Sequence, residues 1–454
     1  MVENVIQIFQ DKGTLLQRKR FLTNKEINSM AERYGTPLYF VDEKTLHNKL
    51  LELHNAYKQF NSDVKIAYSV KANFNPFVLK TFMKDGITFD LTSLGELYFI
   101  KRLNGIPDNI IYTSVTEELD EYIHVLKNGV NRIVVSSYYG FVNLSKAAEI
   151  VKARPKIMVR INPEVGVKAE VRASYKNGKF GVPCNGEKPE SAYFIVKSIF
   201  DNPSLDFEGF HFHLGSQITD FMCYNNALEI LNSLINKLKK EIDNFSIATL
   251  DIGGGTPVFY SDPIPSLNES VSMYIQKLNT MVSNHGNFTL MIESGRFLVS
   301  ESSVMVSKIV NIKEYDDHNI IILDTGYHLL LDAALLKQEY PQEVIPYENN
   351  DIYEMKVKSK DSCSAEKKNI QLAGRLCDTF DVFPISKASD LSCVDIGNYI
   401  MFYNIGAYSL VFNMPFHCQT KPPVLMKTID NCFKLIRKGT TYEELFLEEG
   451  GQIL

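Results

Sequence analysis

Between residues 65 and 296 the chain repeats one unit, a short β-branched and apolar run followed by a longer amphipathic stretch. The runs are Lys65–Ala72, Ile87–Ser93, Asn109–Ser114, Arg132–Ser137, Lys156–Asn162, Phe207–Ser216, Ala248–Gly255 and Leu290–Arg296, eight in all. The first five begin 22, 22, 23 and 24 residues apart. That spacing fits one strand, one helix and two short loops. The later intervals are 51, 41 and 42 residues, which points to insertions in the loops. Leu94–Leu103 and Leu228–Ile242 carry apolar residues three and four apart, as a core-facing helix does. Eight such units predict an α/β fold, a (β/α)8 TIM-type barrel from about residue 43 to 300.

Beyond residue 300 the texture changes. Ser303–Ile312, Asn319–Asp324, Asn369–Ala373, Tyr399–Tyr403 and Val424–Thr428 are short β-like runs between polar turns. A second, mostly β C-terminal domain over 301–454 follows. Residues 1–42 form an N-terminal segment, and Pro37–Asp42 within it is a candidate strand for the same β domain. Residues 341–368 are polar and read as an exposed loop.

Composition narrows the functional classes. The 454 residues are 45% hydrophobic and 22% charged, an ordinary globular balance with enough apolar mass for a large core. A net charge of −6 without a Lys/Arg run argues against nucleic acid as a partner. Neither a leader-like N-terminus nor an apolar stretch long enough to span a membrane is visible. The seven cysteines are scattered and lack C-x-x-C spacing, which fits reduced thiols in a cytoplasmic protein and no metal site.

Chemically loaded residues fall at the ends of the predicted strands, where a barrel of this type keeps its active site. Lys71 closes the first. His211 and His213 lie near the end of the sixth, Gly253–Gly255 after the seventh, Glu293 and Arg296 at the end of the eighth. Each has a plainer reading: a solvated lysine, a core histidine, a tight turn, a structural ion pair. Together they share one purpose. Glycine N–H groups and a guanidinium suit a phosphate, a lysine amine forms an imine with an aldehyde, and a carboxylate keeps a pyridine nitrogen protonated. That set describes pyridoxal 5′-phosphate, whose ring then serves as an electron sink.

The chain resembles the fold-type III pyridoxal-phosphate decarboxylases, the group of diaminopimelate and ornithine decarboxylases. The matching segments are Y-S-V-K-A-N at Tyr68–Asn73, F-D-L-T-S-L-G-E at Phe89–Glu96, H-F-H-L-G-S-Q-I at His211–Ile218, D-I-G-G-G at Asp251–Gly255, E-S-G-R at Glu293–Arg296, G-R-L-C-D-T-F-D at Gly374–Asp381 and G-A-Y at Gly406–Tyr408. They run in family order over roughly residues 35 to 430. The resemblance implies an alanine-racemase-like barrel and an amino-acid α-decarboxylase. It implies that Lys71 holds the cofactor as a Schiff base, that His213 stacks on its ring and that Glu293 pairs with the ring nitrogen. Ser216, Gly253, Gly254, Gly255, Gly295, Arg296 and Tyr408 would form the phosphate site, with Asp90, Arg160 and Asn162 behind the lysine. It further implies a head-to-tail homodimer in which Cys377 and Asp378 reach the partner's cofactor, Cys377 helping to protonate the carbon that loses carbon dioxide. A plainer reading of Cys377 is a small buried hydrophobe.

The match breaks at the substrate's distal end. Diaminopimelate decarboxylases carry D-A-G-M and then Arg-Pro-x-x-Tyr; here stand Asp324-Thr325-Gly326-Tyr327, with Asp332 and Leu336 at the Arg and Tyr positions. Asp378 replaces the usual Glu, as in the ornithine enzymes. Arg296, Asp332, Asp378 and Tyr408 are thus the candidate substrate contacts. Asp332 and Asp378 suit a distal amine, whereas Arg375 offers a replacement cation. The leading expectation is a diaminopimelate-decarboxylase-like enzyme that would release lysine from meso-diaminopimelate. The alternatives are a relative acting on ornithine, lysine or a specialised-metabolite amino acid, then an amino-acid racemase, then a non-catalytic homologue.

Overall fold

The structure is a computed structural model that describes residues 5–11, 14–347, 369–392 and 394–453, with side chains from Arg20 onward. The chain divides into two compact units. One comprises residues 46–258 and 264–298; the other comprises 1–45, 259–263 and 299–454.

The first unit is a closed barrel. Its strands are β1 (Val64–Ser69), β2 (Thr88–Leu91), β3 (Ile110–Thr113), β4 (Arg132–Val135), β5 (Lys156–Asn162), β6 (Asp206–His211), β7 (Thr249–Asp251) and β8 (Thr289–Ser294). Each pairs in parallel with the next, and β8 pairs with β1 to close the ring. Ala67, Ile111, Val134, Met158 and Met291 meet inside as one buried cluster, so the interior is packed rather than open. Helices follow the strands, and serines start several of them. Ser93, Ser137 and Ser191 each accept the backbone N–H three residues on, and Ser266 with Glu269 forms a reciprocal capping box.

The longer intervals have two causes, not one. Between β5 and β6 the chain inserts an extension carrying the two-residue strands Val171–Arg172 and Val182–Pro183. After β6 and β7 much of the extra length is helix: Met222–Glu241 and Leu267–His285 have 20 and 19 residues.

The second unit is mostly β. Its long strand Ser303–Glu314 pairs through its first half with Leu38–Asp42 and Tyr399–Phe402, and through its second half with His318–Leu323. The N-terminal strand Leu38–Asp42 also runs parallel to Val424–Lys427. Helix Asn24–Tyr34 starts at a Thr23/Glu26 capping box. It packs Ile27 and Ala31 against Phe40, Val304, Val306 and Met401. The loop expected over 341–368 needs correction at its start. Gln342–Ile345 is a largely buried strand paired with Tyr399–Phe402, because its polar side chains find partners inside: Gln342 donates to the Pro384 carbonyl and Glu343 accepts from Arg20. Residues 348–368 lie outside the described residues. Phe259–Pro263 counts with this unit: the Phe259 and Tyr260 carbonyls accept from Asn404 and Ser386. Among the described residues no helix is long and apolar enough to cross a membrane.

Candidate active site

At the carboxyl end of β1 the backbone makes one 3₁₀ turn, Val70–Ala72. Val70 and Ala72 are buried and Lys71 between them is exposed. Gly295 lies beside this turn. A Cβ there would sit 2.9 Å from the Ala72 Cβ and 3.3 Å from the Ser69 Cβ. Its bare backbone thus lets the ends of β1 and β8 approach, which brings Glu293 and Arg296 to the Lys71 turn.

Glu293 on β8 is buried, and its Oε1 lies 3.2 Å from Nε2 of His211 at the end of β6. Burial alone would raise this carboxyl. The His211 ring, its hydrogen bond and the Lys71 ammonium outweigh burial and hold it down at about 2, so Glu293 is ionised. Two further buried acids behave oppositely. Burial and the Glu293 charge push Asp90, at the end of β2, up to about 7. The same causes push Asp251, at the end of β7, well above the usual carboxyl range. Arg160 on β5 is buried, with its guanidinium 4.8 Å from the Phe180 ring centre. Asn162 serves the loop after β5: it donates to the Tyr175 carbonyl and accepts from Ser174 and the Glu164 N–H.

The glycine turn after β7 is tied to the histidine. Gly253 and Gly255 adopt φ of +67° and +125°, which side-chain-bearing residues avoid. The Gly253 N–H donates to Asp251 and the Gly254 N–H donates to His213 Nδ1 at 3.0 Å. The Gly255 N–H finds no protein acceptor among the described residues, so it is the donor left for an anion. Arg296 Nε donates to Ser216 Oγ at 3.3 Å, and Gly215, next to Ser216, has its carbonyl 2.9 Å from where a Gly255 Cβ would be. Ser216, Gly255 and Arg296 therefore converge. Half-buried His213 is pushed down to about 3 by burial and by the Lys71 charge, so its ring is neutral. Its Nδ1 accepts, which leaves the proton on Nε2.

In the β unit, loop Gly374–Asp381 is built on one carboxylate. Asp381 accepts from the N–H groups of Tyr327 and Leu376, both at 2.7 Å. Asp378 accepts from the Tyr327 hydroxyl at 3.0 Å and from the Phe380 N–H. Cys377 and Arg375 are exposed, and Phe380 is 63% exposed. Asp332 differs from them: it is 4% exposed, on the one-turn helix Leu331–Leu335. Tyr408 is half-buried at φ +61° and stacks on Phe412.

Sequence reasoning passed over the His211–Glu293 pair, the upward shift of the Asp251 carboxyl and the Tyr327–Asp378 bond. Asp251 lies inside a segment already singled out. Tyr327 stands where the family pattern has Met, and that was its signal.

A barrel that ends its first strand in an exposed lysine, and buries an ionised carboxylate on the neighbouring last strand, is equipped to tether an aldehyde cofactor and protonate its ring nitrogen. The anion donors beside them complete the fit to a phosphorylated pyridine aldehyde. Residues 47–300 match the family model described as pyridoxal-dependent decarboxylase, pyridoxal binding domain, and the chain belongs to this family of decarboxylases. It is 29% identical to the diaminopimelate decarboxylase of Vibrio cholerae over 426 residues, covering 92% of this chain and 94% of that one. It is 27% identical to that of Aquifex aeolicus over 428 residues, covering 93% and 94%. Among solved structures it resembles the Methanocaldococcus jannaschii diaminopimelate decarboxylase in complex with L-lysine. The TM-score there is 0.82 at 22% identity, with 98% of each chain covered.

Proposed function

We propose that this chain decarboxylates a diaminopimelate-like amino acid with pyridoxal 5′-phosphate bound at the barrel mouth. The observation that carries the reading is the exposed Lys71 turn beside the buried, ionised Glu293. When bound, the cofactor supplies an electron sink for the bond that breaks at the substrate's α-carbon. Lys71 would tether it, Glu293 would keep a proton on its ring nitrogen, and neutral His213 would supply an uncharged face beside it. Ser216, Gly255 and Arg296 would hold the phosphate. Cys377, exposed in the single chain, supplies a proton across a head-to-tail dimer.

The substrate's distal end is assigned to that same loop, Gly374–Asp381, reaching across the dimer. Asp378 would receive the distal ammonium and exposed Arg375 the distal carboxylate. The near inaccessibility of Asp332 favours this division over a two-aspartate site for a diamine. A cytoplasmic setting is supported by the cysteines: Cys184, Cys223, Cys377, Cys418 and Cys432 are all free, while Cys363 and Cys393 lie outside the described residues.

Steady-state carbon dioxide release from meso-diaminopimelate, lysine, ornithine and arginine tests the reading. Preference for meso-diaminopimelate, with Arg375→Ala raising its KM more than that of lysine, is the expected result. Preference for ornithine or lysine, unaffected by Arg375→Ala, would transfer the chain to the diamine-forming branch. Racemisation without carbon dioxide would refute decarboxylation of these substrates.

A further inference from the structure

We propose that His211 is a positioning residue: it fixes the ionised state and the aim of Glu293 and so keeps the cofactor's ring nitrogen protonated. The inference rests on the cofactor reading above. The two side chains are among the most enclosed polar groups of the barrel, 1% and 6% exposed, and they meet at 3.2 Å. His211 Nδ1 is buried and has no partner among the described residues. A doubly protonated ring would therefore bury a charged N–H with nothing to accept it. A ring protonated at Nε2 alone leaves an unpaired acceptor, which costs less. His211 is thus a neutral donor with a single N–H, and that N–H is directed to Glu293. Burial also lowers the affinity of His211 for a second proton.

The third group in the cluster explains why such a donor is needed. One atom each from His211, Asp251 and Glu293 lie within 4.8 Å of one another. Two buried carboxyls this close cannot both be ionised at low cost, so the pair carries a proton. Placed on Glu293, that proton would remove the anion facing the ring nitrogen. The Asp251 Oδ2 is buried without a partner, whereas Glu293 receives the His211 N–H. A hydrogen bond from a neutral donor favours the ionised member, so His211 directs the proton to Asp251 and the negative charge to Glu293. Lys71 and Arg160 add positive charge to the same cluster.

The test uses holoenzyme loaded with cofactor carrying ¹⁵N at the ring nitrogen. In the wild type the ¹⁵N shift reports a protonated nitrogen. His211→Leu moves it toward the unprotonated value and lowers kcat about 10- to 100-fold, the size of loss seen when the hydrogen-bond partner of a metal-ligating side chain is removed, with KM within about threefold. His211→Gln, whose amide N–H reaches the place of Nε2, restores both. A folded His211→Leu enzyme with an unchanged ¹⁵N shift and kcat within about twofold of wild type overturns the proposal. Should His211→Leu fail to fold, ¹⁵N-histidine spectra of the wild type decide. A bare Nδ1 with a protonated Nε2 supports the assignment, and a protonated Nδ1 defeats it. A wild-type protein that takes up no cofactor overturns the cofactor reading, a different result from loading without a response to His211.

Discussion

Gly253→Ala tests whether the turn after β7 is held by steric necessity. A Cβ there would lie 2.5 Å from the Phe212 carbonyl oxygen, 2.8 Å from His213 Nδ1 and 2.9 Å from the His213 Cα. The φ of +67° adds a conformational cost of about 1–2 kcal/mol for a residue with a side chain. The contact is with backbone, which cannot swing aside, and overpacking of this kind costs about 1–3 kcal/mol. The sum is about 2–5 kcal/mol, a large part of a typical domain's stability of about 5–15 kcal/mol. Gly286→Ala supplies the control. Its φ is +87° but nothing lies within 4 Å of the new Cβ, so it carries the conformational cost alone. Urea unfolding followed by circular dichroism should rank wild type, then Gly286→Ala, then Gly253→Ala. Relief of the clash must displace His213, so Gly253→Ala alone should also weaken cofactor binding. Equal stability losses in the two variants, with cofactor affinity unchanged in both, would refute the reasoning.

Lys71→Ala should abolish both the visible absorbance of lysine-linked cofactor and turnover while leaving the circular dichroism spectrum intact; retained turnover would remove Lys71 from its role. His213 gives a pH signature, because its folded-state pKa of about 3 lies below the ordinary 6.5. Below pH 6.5 the unfolded chain binds a proton that the folded chain refuses until about pH 3, so this side chain makes folding less favourable as the pH falls through that window. The melting temperature of cofactor-free wild type should therefore fall relative to His213→Gln between pH 7 and 5, and a constant difference would contradict the assignment. Glu208 sits near the opposite, amino-terminal end of the strands. It accepts from Arg132 Nε at 2.9 Å and from Thr249 Oγ1 at 2.8 Å. Glu208→Ala should cost roughly 2–4 kcal/mol in urea unfolding, because it strands a mostly buried guanidinium, yet leave kcat within about twofold.

The barrel was legible because its signals are local. Most strands are short β-branched or apolar runs, and serine–glutamate spacing marks helix starts such as Ser266 and Glu269. Lys71, His213, Glu293 and Arg296 were legible because a barrel gathers strand ends, so sequence position implies proximity. What stayed hidden depends on contacts between distant segments. Gln342–Ile345 looks polar in sequence, yet the Gln342 side chain is buried and donates to the Pro384 carbonyl. The three glycines looked equivalent as phosphate donors. The fold commits the N–H groups of Gly253 and Gly254 to Asp251 and His213, and that division requires knowing where the sixth strand ends.

Burial separates two roles that residue type alone leaves mixed. A side chain that recognises a substrate must be reachable by it, whereas one that sets another group's charge works best where water cannot compete. Asp332 was nominated for recognition by its place in a motif, but at 4% exposure it meets the second condition, not the first. His211 was open to reading as an ordinary core residue, and its enclosure is what makes its single N–H decisive for Glu293. Arg375 and Asp378 satisfy the first condition. They stand on a loop that Asp381 folds rigidly through the Tyr327 and Leu376 N–H groups, so their positions are fixed while their charged ends remain available. If this partition holds, Asp332→Asn should shift stability with little change in substrate preference. Arg375→Ala should do the reverse, lowering kcat/KM for a dicarboxylic substrate without moving the unfolding midpoint. The opposite pattern in paired urea-unfolding and steady-state measurements would return Asp332 to the substrate site.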